Sequence, residues 1–147
     1  MDIYKLNLIG AYSAIFVLLT GNLIFVFRLL NQQLAEYWAG IAFMATIIPL
    51  AYLLYTSSQY GRSNMYIIQL VTMMGFIIVE LLLDYVFKVD FRHTRWTVIL
   101  YVMFFFAGTG GMIGIAFQAG KSWGILSTLL FLLLSVLAFV QHSKTAL

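Results

Sequence analysis

Apolar residues run through this chain in long stretches separated by short polar segments. Five of these stretches reach the roughly 20 residues that a helix needs to cross the hydrocarbon core of a bilayer. The first covers 6–27, from Leu6 to Phe27, and stops at Arg28. The second covers 38–57, from Trp38 to Ser57, and contains Pro49. The third, 64–87, runs from Asn64 to Phe87 and carries Glu80 and Asp84 near its end. The fourth, 96–119, from Trp96 to Ala119, has no charged residue. The fifth, 122–141, has LLFLLLSVLAFV at its centre. The pattern predicts an all-α integral membrane protein: a compact bundle of five transmembrane helices with short loops, forming a single domain over 1–147.

The intervening segments fit this reading. QQLAEY is polar enough for a membrane interface, and SSQYGRS has turn composition. KVDFRHTR is the most charged stretch, and AGKS is so short that the fourth and fifth spans should be antiparallel neighbours. Trp38 and Trp96 stand at span starts and Trp123 just inside one, where amphipathic rings suit headgroup depth. Pro49 has no backbone donor and should kink or locally open the second span.

Composition turns this pattern into a choice of solvent. Hydrophobic residues make up 63% of the chain and charged residues only 9%, against about 25% charged in soluble domains. The outer surface should therefore meet lipid, and the bilayer is the first expected partner. The net charge of +3 is spread along the chain without a basic, aromatic-interleaved patch, so no nucleic-acid partner is expected. With no cysteine, disulfides, thiolate catalysis, Cys-ligated zinc and iron–sulfur clusters are excluded within this chain. No cofactor and no metal are expected. Similar spans follow the first, so it should be retained and not cleaved as a signal peptide.

Alternating spans place Lys5, Arg62 and Lys121 at the N-terminal side, and Arg28, Lys88, Arg92, Arg95 and Lys144 at the other. This basic excess predicts an outside N-terminus and a cytoplasmic C-terminus in a plasma membrane.

Glu80 is the residue hardest to reconcile with lipid. Counted along span 64–87, it lies roughly 7 Å from the midplane, within hydrocarbon, whereas Asp84 lies roughly 13 Å out. The two share a helical face that continues back through Phe76, Met73 and Gln69. Asp84 has an ordinary partner in Lys88 four residues on. Glu80 must face other helices or water, or carry a proton. Asn22, Tyr101 and Ser135 fall in the same half of their spans, with Arg28 at its edge. They form with Glu80 and Asp84 the candidate transport or ligand-binding set, although each could serve only as an isolated helix–helix hydrogen bond.

The fourth span supplies candidate packing residues. Gly110 and Gly114 are four positions apart, as are Ala107 and Gly111, a spacing that lets membrane helices approach closely within a subunit or between subunits. The run is not a phosphate loop. Ile113 stands where GxGxxG needs its third glycine, and Ile115 where GxxxxGK[ST] needs its first.

At the other polar site, Arg28, Lys88, Arg92, His93 and Arg95 form an interfacial charged cluster, with Asp84, Asp90 and His142 on the same side. A lipid-modifying enzyme could use such a face, but neither HExxH, CxxC nor a serine nucleophile–base pattern is present. The expected function is a small transporter or channel-like protein using Glu80 for proton, cation or small-solute passage. It would assemble as a homo-oligomer or with a membrane partner subunit. This ranks narrowly above a non-catalytic structural or auxiliary membrane subunit, and further above the enzyme.

Overall fold

The computed structural model describes residues 2–86 and 95–145. They fold into six α-helices and one π-helical turn: α1 (Ile3–Leu29), α2 (Gln33–Ala45), α3 (Ile47–Ser57), α4 (Asn64–Glu80), the π turn (Leu81–Val86), α5 (Arg95–Phe117) and α6 (Lys121–Thr145). Taking α2 with α3 and α4 with the start of the π turn, five helical rods are long and apolar enough to cross a membrane. They are Ile3–Leu29, Gln33–Ser57, Asn64–Leu83, Arg95–Phe117 and Lys121–Gln141.

Local chemistry sets the ends. The Asp2 carboxylate caps α1 by accepting the Lys5 N–H at 2.9 Å. At the far end Asn31 takes φ 58°. The Gln32 N–H reaches the Phe27 carbonyl at 2.8 Å and the Asn31 N–H reaches that of Arg28 at 3.2 Å. This is a Schellman closure, with asparagine in the left-handed position usually held by glycine. Gly61 performs the same service after α3 at φ 61°, and the Arg62 N–H reaches Ser57. Ser63 then caps α4 through the Tyr66 N–H.

Two rods depart from a continuous α-helix. The second span is two helices, interrupted at Thr46, whose N–H reaches back only to Phe43. The break falls three residues before Pro49 because the proline ring crowds the carbonyl of the residue four positions earlier and offers it no donor. That residue is Ala45, where α2 ends. In the third span the α-helical ladder stops at Glu80, short of Phe87, and the chain continues as the π turn.

α1 is the hub, packing against α2, α3, α5 and α6. Its small residues permit this: Ala11 and Ala14 are fully buried, and a Cβ on Gly10 would stand 2.9 Å from Ile115 Cγ2. Phe76 of α4 anchors an aromatic cluster, its ring 6.2 Å from Phe43, 5.3 Å from Tyr101, 5.8 Å from Phe104 and 5.3 Å from Phe105. Such edge-on arrangements add to simple burial. α6 turns a row of large apolar side chains outward, including Leu129, Val136 and Phe139.

Candidate functional site

The seam between α4 and α5 holds the Glu80–Tyr101 pair. Glu80, half-buried at the last position of α4, accepts a hydrogen bond from the Tyr101 hydroxyl of α5. The aromatic ring of Phe76, one turn earlier on α4, lies against Tyr101 and so forms the floor beneath this pair. The π turn continues directly from Glu80. Within this turn Tyr85 is directed onto α2. There its hydroxyl donates to the Tyr37 carbonyl at 3.3 Å and its ring lies 5.4 Å from that of Tyr37. Gly40 makes the contact possible, because a Cβ there would overlap the Tyr85 hydroxyl. One irregular segment thus connects α4 to both α5 and α2.

The other residues expected around Glu80 are engaged elsewhere. Asn22, only 4% exposed, donates through Nδ2 to Leu18 in its own helix at 2.8 Å and to Leu130 of α6 at 3.2 Å. Its Oδ1 is buried without a partner. Ser135 donates to the Phe131 carbonyl within α6 at 3.0 Å. Arg28 is bound by Glu36 at 2.8 Å, with its guanidinium 5.6 Å from the Phe25 ring, which clamps α1 to the start of α2. Arg95 begins α5 and is exposed. The backbone of Asp84 belongs to the π turn, but its side chain lies outside the described residues, as does that of His142; Lys88, Asp90, Arg92 and His93 lie outside them altogether.

The glycines of α5 divide between neighbours. Gly108 meets Met73 and Phe76 of α4, and Gly111 meets Gln69. A Cβ on Gly114 would overlap the Gln69 carboxamide, and one on Gly110 would lie 3.7 Å from the Phe131 ring of α6. Ala107 is exposed. Gly108, absent from the four-residue pairs, therefore belongs to the same close approach through its three-residue spacing from Gly111.

Hydroxyls in the interior turn back on their own helices. Ser13, Thr20, Thr56, Thr109 and Ser127 each donate to a carbonyl three or four residues earlier. Thr46 is different: it is 2% exposed and its hydroxyl has no partner. It lines a shallow groove of about 370 Å³ between α1 and the proline break, with Ile9, Tyr12, Ser13, Phe16, Ala45 and Pro49. This mostly apolar groove does not include Glu80. Among the described residues no group of three or more His, Cys, Asp or Glu could hold a metal.

The sequence reading overlooked Glu36, Tyr85 and Thr46. Glu36 could have been found from the short turn after Arg28, which brings the next helix start beside it. Thr46 could have been found from its place beside the carbonyl that Pro49 deprives of a donor. Tyr85 had no such signal, since its position depends on the π turn. No family model, curated protein or solved structure matches the chain, so the functional argument rests on these residues alone.

Proposed function

We propose that this protein is an integral membrane subunit that acts through assembly in the bilayer, without catalysis of its own, and that Glu80 and Tyr101 tie its helices together. The supporting observation is that Glu80 and Tyr101, the most polar pair on the α4–α5 seam, are bonded to each other. The Thr20 hydroxyl near Asn22 and the Ser135 hydroxyl of α6 are likewise spent on local carbonyls, and the groove at Thr46 lies elsewhere and is mostly apolar. This arrangement suits a tether better than a polar route through one subunit. The proposed setting is a plasma membrane with the N-terminus outside, following the basic excess at the other end.

A second reading keeps Glu80 as a transport group. It is favoured by the half-exposure of this carboxyl at a π turn, a feature frequent at functional sites. Passage of protons, cations or a small solute would then run along an assembly of subunits.

Purified protein in liposomes separates the two readings. With a pH-sensitive dye and imposed proton, sodium or potassium gradients, the wild type and Glu80→Gln should leak no faster than protein-free vesicles. Glu80→Leu should unfold at a lower denaturant fraction than Glu80→Gln. A gradient-driven flux that Glu80→Gln abolishes would overturn the assembly reading in favour of transport.

A further inference from the structure

Gln69 carries the strongest unassigned chemistry. It sits on α4, and in the rod Asn64–Leu83 its Cα lies roughly 7 Å from the centre, within the hydrocarbon of a spanned bilayer. Its stem lies over Gly111 and its carboxamide over Gly114, which turns the polar end onto the outer edge of the α4–α5 seam. Among the described residues nothing is hydrogen-bonded to this carboxamide, and it is not sealed in: Gln69 remains half-buried. Around it the surface is apolar and low. Met65 and Ile68 on α4 are exposed, and Gly111 and Gly114 beneath Gln69 leave the α5 backbone without side-chain cover.

A carboxamide has two donor hydrogens and two acceptor lone pairs. Lipid tails supply neither, and an unsatisfied polar group in hydrocarbon is costly. The simplest complement is another carboxamide at the same depth. A two-fold axis along the bilayer normal provides one, because it places identical residues of two copies at identical depth. We propose that the Gln69 edge of the α4–α5 seam is a homodimer interface in which the Gln69 carboxamides of two copies hydrogen-bond to each other. The glycines do not specify this interface; they permit the approach that brings the carboxamides into range. The inference rests on the bilayer-spanning part of the proposed function and is independent of whether Glu80 transports anything.

The full chain in mild detergent and in liposomes tests it. Sedimentation equilibrium should find a reversible dimer. Gln69→Leu, close in size and without hydrogen-bonding groups, should raise its dissociation constant about tenfold. Gln69→Asn should recover part of the loss, with helical content unchanged in both variants. Because the chain has no cysteine, Met65→Cys gives a single reporter one turn from Gln69. It should cross-link on oxidation, and adding Gln69→Leu should reduce the yield. Leu129→Cys, on the exposed face of α6, should not cross-link. A monomeric wild type overturns the proposal, and so does a dimer indifferent to Gln69→Leu. A monomer that gains a Gln69-dependent membrane partner also overturns it, by assigning the carboxamide to another protein. If alkaline carbonate strips the protein from vesicles, the bilayer-spanning premise fails as well. Retention in the bilayer as a monomer defeats the dimer alone.

Discussion

The two interruptions of the helical ladder, at Thr46 and after Glu80, look alike on a list of elements and differ in what they do with polar groups. At Thr46 a proline removes a donor. The break leaves a buried hydroxyl without a partner beside an open groove. After Glu80 no proline or glycine is present in Leu81–Val86, yet two polar groups there, Glu80 and Tyr85, are used. Glu80 receives the Tyr101 hydroxyl, and Tyr85 reaches the Tyr37 carbonyl across a glycine. The first interruption is imposed by covalent structure. The second is held by contacts on both sides of α4. A break forced by sequence can leave a cost behind, whereas a break selected by packing needs compensation where it stands.

This contrast predicts effects of opposite sign. The largest should follow Gly40→Leu, because even one added carbon overlaps Tyr85. Driving Tyr85 from α2 should destabilise the protein by about 2–3 kcal/mol in denaturant titrations, the usual range for overpacking. A neutral result would mean that Tyr85 does not hold the π turn, and the contrast would fail. Thr46→Val is next and should stabilise by about 1 kcal/mol, since a near-isosteric methyl replaces a hydroxyl with no partner. Destabilisation there would show that the hydroxyl is satisfied in the bilayer, by water or by a ligand in the groove. The smallest effect should come from Tyr101→Phe, a loss of about 0.6 kcal/mol, typical of one interhelical hydrogen bond in a membrane protein. A loss several times larger would make the pair part of a coupled network and sharpen the difference further.

The five rods were legible because hydrocarbon thickness imposes a length on apolar runs, and the kink because Pro49 declares it. The π turn was not, since LLLDYV reads as ordinary helix and its geometry depends on Tyr37, Gly40 and Tyr101 in other elements. Depth along a span grouped Glu80 with Asn22, Tyr101 and Ser135, but depth says nothing of helix rotation. Tyr101 meets Glu80, whereas Asn22 turns to Leu130 and Ser135 to its own helix. Arg28 was read as a member of a cationic cluster. Its partner Glu36 lies just across the turn closed by Asn31, a pairing fixed by backbone geometry and not by residue spacing alone. Gln69 was seen only as a neighbour on the Glu80 face, because an uncharged side chain attracts less notice than an acid. Its chemistry becomes visible once α5 offers it a glycine and no hydrogen bond.

The position of α1 as hub has a consequence for biogenesis. It leaves the ribosome before the other described helices, and α2, α3, α5 and α6 all find their docking surface on it. Each can therefore settle as it emerges. α4 packs chiefly on α5, the next helix to be made, so Gln69 and Glu80 must wait in a half-built protein for their neighbour. The interval between synthesis of α4 and α5 is when this chain most needs a chaperone or insertase, and slowing translation there should increase its capture by quality control.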